Sequence, residues 1–258
     1  MVRELAPRLE AAGFHTLWVN DTPAGDALAS IAVAAEVTAT LQLATGVIPI
    51  DRRPPLEIAA SVDRLGLPLD RLTIGIGSGR VAKGALAVVG EAVAVLRDEI
   101  GVPVVVGALG PKMRELAARE ADGVVLNWLT PDAAAEAAAD AQAASLTRPR
   151  PAHVVQYVRT IVDPAAREAL VAEARRYEAV PAYAANFERL GVTALETTLD
   201  ASAMTGASES DAGSLLDEYL GAVDEVVIRA ITAEQTIDDY AQFIDHPLLA
   251  ERLQLDIP

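Results

Sequence analysis

Between Val104 and Pro131 the chain reads VVVGALGPKMRELAAREADGVVLNWLTP, and its glycines, proline and apolar runs are spaced like an anion-binding turn. Three valines, Val104 to Val106, stop at Gly107. A helical pattern starts behind Gly110 and Pro111. A second apolar run, Val124 to Leu126, ends at Asn127 and Trp128. Glycine at 107 and 110 lets the backbone approach a ligand closely, and Pro111 loses nothing at a first helical position, where its N–H would be orphaned anyway. Free N–H groups and the positive end of a helix dipole favour a phosphate there. The same residues also build an ordinary strand-to-helix turn, so the turn alone leaves both readings open.

In a parallel α/β chain, ligands bind at the carboxyl ends of the strands. The ends predicted here are Asn20 and Asp21; Thr45, Gly46 and Val47; Gly75, Gly77, Ser78 and Gly79; Gly107, Ala108, Leu109 and Gly110; and Asn127 with Trp128. Glycine recurs at three of the five, which suits a flat ring or a phosphate lying against the main chain. The run Gly75-Ile76-Gly77-Ser78-Gly79 is not a dinucleotide fingerprint, because Arg80 stands where the third glycine belongs. His15, His153 and His246 all fall away from strand ends and read as structural or exposed. No serine sits in a nucleophile elbow. Only Asp21 is placed to ligate a metal, and one carboxylate is too few. The catalytic acid or base is therefore Asp21, a water or a group on a bound cofactor. Asp21 serves equally well as a cap on the turn that follows it, and Trp128 as a plug in the mouth of the fold.

The elements that position these residues alternate. Helical patterns cover roughly 2–13, 24–40, 54–66, 82–100, 111–121, 131–144, 164–191 and 236–253, the last broken near Pro247. Strand patterns cover 17–19, 41–50, 72–77, 104–106, 124–126, 154–162 and 224–231. Seven alternations predict a parallel sheet with helices outside, one strand short of a (β/α)8 barrel. Residues 201–213, small and polar, read as a mobile surface loop within a single domain spanning 1–258. With 52% hydrophobic but only 4% aromatic residues, the core is built from Ala, Val, Leu and Ile.

A net charge of −16 speaks against nucleic acid and against an anionic membrane surface. The absence of cysteine removes disulfides, thiol catalysis and Cys-ligated metals. No secretory signal or bilayer-spanning run is visible, so a cytoplasmic protein acting on a small molecule is expected.

Four stretches, AAGFHTLWVND, LQLATGVIPIDRRPPLEIAASVDRL, LDRLTIGIGSG and VGALGPKMRELAAREADGVVLNW, resemble the bacterial luciferase-like superfamily of flavin- and deazaflavin-dependent oxidoreductases. Within it the likeness is greatest to the coenzyme F420 group that includes methylenetetrahydromethanopterin reductase. The match is strong to about Pro131 and weak between Asp163 and Ala222. It implies an α/β, TIM-type (β/α)8 barrel lacking its first strand and with shortened insertions. It also implies an F420-dependent hydride transfer to a small organic substrate, with FMN-dependent monooxygenation, or a degenerate barrel that binds cofactor without catalysis, as the alternatives. By the same resemblance, Gly107-Ala108-Leu109-Gly110 holds phosphate. Thr45-Gly46-Val47 forms a bulge behind the ring, often with a cis peptide, and Gly77-Ser78-Gly79 line ring and tail. One departure stands out: the family's Asp-His pair is here Asp21-Thr22, without the proton-donating histidine. Strands left at the edges of an incomplete barrel call for cover, for which a partner subunit in a homodimer is the candidate.

Overall fold

The computed structural model describes residues 1–81, 83–202 and 207–253, which separate into two compact units. The first comprises residues 2–125 and 139–154. It holds α1 (Val2–Ala11), β1 (Thr16–Val19), α2 (Ala27–Val37), β2 (Gln42–Thr45), β3 (Ile48–Pro49), α3 (Pro55–Leu65), β4 (Leu72–Gly77), α4 (Ala85–Ile100), β5 (Val104–Gly107) and α5 (Pro111–Glu120). Three elements, β6 (Gly123–Asn127), α6 (Pro131–Ala144) and β7 (His153–Ile161), begin in one unit and end in the other. The strands of the first unit run parallel in the order β1-β2-β4-β5-β6. Their centres are sealed on both faces: Ile74, Val104 and Val106 have no exposed surface. Uninterrupted apolar strands are what a sheet covered on both sides requires.

The predicted strand 41–50 is divided. Leu43 stands opposite Leu72, but Ile48 stands opposite Ile76, so one extra residue is taken up between them. This is a β-bulge, and it falls on Thr45-Gly46-Val47. The Gly46–Val47 bond is cis, as the family resemblance implies. Thr45, fully buried, repairs the interrupted ladder: its hydroxyl donates to the Gly75 carbonyl at 2.9 Å and accepts the Gly75 N–H at 2.8 Å.

The turn leading into β2 is held by Glu10, whose carboxylate accepts the amides of Ala39 at 2.9 Å, Thr40 at 2.6 Å and Leu41 at 2.9 Å. Backbone donors favour the charged form, and the Thr40 and Leu41 amides pull its pKa down from 4.5 to about 2. A depressed carboxylate pKa contributes stability above the unfolded value and loses it as pH falls through the folded one. The urea midpoint is therefore expected to fall between pH 4.5 and about 2, and to fall less steeply in Glu10→Gln. Equal slopes for the two proteins would remove Glu10 from the account.

The second unit takes in 126–138 and the described chain from Val155 onward. Here β7 lies between β8 (Leu199–Asp200) and β9 (Glu225–Ala230), both parallel to it. Around them run α7 (Arg167–Glu178), α8 (Pro181–Leu190), α9 (Ala207–Ala222), α10 (Ile237–Ile244) and α11 (Pro247–Leu253). The predicted helical region 164–191 divides at Pro181, whose fixed φ and missing N–H suit it to open α8. The last helix breaks ahead of Pro247, as expected. The loop reading of 201–213 is corrected for 207–213, which lie in α9; residues 203–206 lie outside those described. Helix α9 is anchored by Tyr219, fully buried, whose hydroxyl donates to the Leu129 carbonyl at 2.8 Å.

Candidate functional site

The turn from β5 to α5 keeps part of its main chain available. The Ala108 amide is spent on the Val125 carbonyl at 3.0 Å. Among the described residues no backbone carbonyl accepts from Leu109 or Gly110, and Lys112 sits in the first helical turn, where amides lack intrahelical partners. Arg114 donates to the Leu109 carbonyl at 2.9 Å, which fixes the peptide that carries the Gly110 amide. A methyl group built on Gly110 meets nothing within 4 Å. The turn therefore offers amides and a helix N-terminus beside open space, with Lys112 in the first helical turn, and it fits a phosphate.

The strand-end glycines have a second cause beyond any ligand. A methyl on Gly75 would stand 2.0 Å from the Thr45 carbonyl oxygen. One on Gly77 would stand 2.8 Å, and one on Gly107 3.3 Å, from Val47 Cγ2. The bulge thus presses the Val47 side chain onto the ends of β4 and β5, and glycine at both lets it lie flat. That puts an apolar isopropyl group beside the phosphate-fitting turn, a suitable backing for a ring. Gly79 has φ 60, and Asp51 fills the place a side chain would take there. The Asp51 carboxylate accepts the Arg80 amide at 3.1 Å. Ser78 contributes its carbonyl to the Val81 amide at 3.2 Å.

Asp21 is buried, and both its oxygens are engaged. Oδ1 accepts the Ala27 N–H at 3.0 Å at the start of α2, and Oδ2 pairs with Arg52. Asp21 thus ties the first residue of α2 to Arg52, while the N-cap of that helix is Asp26, which accepts the Ala29 amide at 3.1 Å.

Asn127 and Trp128 belong to the second unit. The Trp128 ring has no exposed surface and packs edge-on to Phe187, at 5.8 Å between centroids, and against Tyr177, at 5.0 Å. Over it lies the Arg159 guanidinium, 3.8 Å from the ring centroid. Arg159 donates to Glu173 at 3.1 Å and to the Asn127 side-chain oxygen. Burial lowers the Arg159 pKa, and the Glu173 carboxylate opposes that fall. Tyr183, from the first turn of α8, stands at 4.8 Å from the Tyr177 ring. Sequence reasoning missed Arg159, Glu173, Tyr183, Arg52 and Asp51. A lone Arg in the apolar strand VVQYVRTI was the available signal, since a charge on a buried strand must find a partner.

Among the described residues, no group of three or more His, Asp or Glu is placed to hold a metal, and no helix is long and apolar enough to cross a membrane. His246 is buried in a turn, its Nδ1 accepting the Leu248 amide at 3.3 Å.

A family model described as luciferase-like monooxygenase matches residues 1–84 and 83–243. No curated protein matches the chain. Among solved structures, the coenzyme F420-dependent tetrahydromethanopterin reductase of Methanopyrus kandleri superposes with TM-score 0.68 at 17% identity, over 97% of this chain and 93% of that one. The monooxygenase RslO1 of Streptomyces bottropensis gives 0.73 at 17%, over 98% and 92%. The oxygenating constituent of 3,6-diketocamphane monooxygenase from Pseudomonas putida, solved with FMN, gives 0.69 at 12%, over 100% and 93%. At such identities the likeness is one of fold, the α/β class of TIM-barrel luciferase-like enzymes.

Proposed function

Because the chain belongs to the luciferase-like monooxygenase family, we propose that it is an oxidoreductase. In this reading it binds coenzyme F420 and passes a hydride between it and a small organic substrate. The observation that carries the reading is the β5–α5 turn, whose Leu109 and Gly110 amides face no backbone acceptor beside an unobstructed Gly110. In this reading those amides, with Lys112, hold the cofactor's phosphate. Val47, on the bulge between β2 and β3, backs the ring. Hydride transfer is chemistry a deazaflavin supplies when bound; the protein's share is binding, orientation and exclusion of water. Asp21 holds the start of α2 and Arg52 rather than exchanging a proton with substrate. Support for the deazaflavin comes from the GALGPKM turn and from the fold shared with the Methanopyrus kandleri reductase.

FMN with a monooxygenase reaction is the second reading. It is favoured by the family's description and by the FMN-bound Pseudomonas putida neighbour. Titrating the protein with F420 and with FMN, and following cofactor fluorescence, separates the two. Saturable quenching of F420 at micromolar concentrations, with weaker quenching of FMN, is the expected result. Tight FMN binding alone would transfer the assignment. Binding of neither by folded protein would end both.

A further inference from the structure

Strand β9 is a long edge strand. Among the described residues it pairs with β7 and with no other strand. Its sequence, Glu-Val-Val-Ile-Arg-Ala, carries three large aliphatics, yet all six residues are only half-buried. The neighbouring β7 is buried from Val154 to Ile161. Parallel strands of such composition are normally covered on both sides. An exposed edge is commonly blunted by lysine, proline or a bulge. Strand β9 contains neither lysine nor proline, and it keeps unbroken register with β7 from Glu225 through Ala230.

The two charges that β9 does carry are opposite in sign and lie symmetrically about Val227. Side chains alternate along a strand, so Glu225, Val227 and Arg229 share one face. Two identical edges related by a two-fold axis run antiparallel. With Val227 against Val227, Glu225 of each copy stands opposite Arg229 of the other, and Val226 stands opposite Ile228. Opposite charges facing each other across strands stabilise a pairing. Any other antiparallel register loses both charge pairs. Arg229 can serve this role, because its side chain is 35% exposed and meets Glu173 only at 3.7 Å. The edge strand β1, by contrast, has four residues and no charge to set a register.

We propose that the protein forms a two-fold homodimer in which β9 pairs antiparallel with β9 of a second copy, in the register centred on Val227. Nothing in this pairing depends on a cofactor.

The chain has no cysteine, so single introduced cysteines report the register. Directly opposite residues of an antiparallel pair have Cα atoms about 4.5–5.5 Å apart, within reach of a disulfide. Residue 230 and its counterpart would lie six positions apart along the paired strands, roughly 20 Å, far beyond that reach. Under mild oxidation Val227→Cys is expected to give a covalent dimer, and Ala230→Cys is expected to stay uncross-linked. Sedimentation of the wild type is expected to show a dimer. Val227→Lys, which sets like charges together on the axis, is expected to sediment as a monomer with an unchanged circular dichroism spectrum. If Val227→Lys does not fold, the two cysteine variants still decide. A wild type that stays monomeric at submillimolar concentration overturns the proposal. So does a dimer in which Val227→Cys fails to cross-link, or in which Ala230→Cys cross-links equally well.

Discussion

Gly110→Trp is expected to lose cofactor affinity by about 100-fold or more, close to 3 kcal/mol, while the cofactor-free protein melts within a few degrees of wild type. The backbone of Gly110 makes this a clean experiment. Its φ of −97 and ψ of 160 are extended values that any residue adopts, and nothing lies within 4 Å of where its Cβ would stand. Glycine at the residue before a helix is exchanged at a cost of a few tenths of a kcal/mol to about 1 kcal/mol. The fold therefore has no reason to require glycine here, and a ligand that must touch the Leu109 and Gly110 amides does. An indole at 110 covers those amides and leaves the helix intact. Gly75 offers no comparable test, because a side chain there meets the Thr45 carbonyl at 2.0 Å and damages the sheet itself. Isothermal titration with F420 alongside a thermal melt decides the matter. Unchanged affinity places the phosphate elsewhere, and the oxidoreductase assignment then loses the observation that carries it.

This contrast also shows which features were legible in the residues. Alternation of short apolar runs with Ala-rich helices exposed the parallel α/β fold, because strands sealed on both faces leave an unmistakable pattern. The β5–α5 turn was equally readable as a strand-to-helix turn, since Gly107, Gly110 and Pro111 mark one, while a phosphate was one of two readings of the same residues. The bulge was located from family resemblance, whereas periodicity saw a continuous strand over 41–50. One inserted residue shifts the register without disturbing the apolar count. What the strand-end glycines do was half visible. Their recurrence suggested a ring or a phosphate, yet at Gly75 and Gly77 the immediate cause is the bulge leaning on β4, a contact between residues about thirty positions apart. Helix α9 was hidden because its first turns are small and polar, and the residue that anchors it, Tyr219, reaches back to Leu129. The bonds of Arg159 to Asn127 and Glu173 were out of reach for the same reason. The three residues come from β7, β6 and α7, and only tertiary packing brings them together.

Arg159→Ala is expected to destabilise the protein by about 3–5 kcal/mol, the usual cost of breaking a buried ion pair from one side. Three losses combine in that figure. Glu173, with a side chain only 10% exposed, loses the partner at 3.1 Å. The cations that remain stand farther off, Arg176 at 3.4 Å and Arg229 at 3.7 Å, and both side chains are substantially solvated. Trp128 loses the guanidinium plane at 3.8 Å, and a cavity opens above a ring with no exposed surface. The magnitude separates these terms. Desolvation of an ion pair costs nearly what its attraction returns, so removing both charges is far milder than removing one. The double variant Arg159→Met with Glu173→Met is accordingly expected to recover most of the lost stability in urea unfolding, with the coupling energy given by the double-mutant cycle. It also leaves the Asn127 side-chain oxygen without its Arg159 donor. A cost below about 1 kcal/mol for Arg159→Ala, the range of a solvent-exposed pair, means that Arg176 and Arg229 already satisfy Glu173. Arg159 would then owe its place in β7 to Asn127 and Trp128 alone.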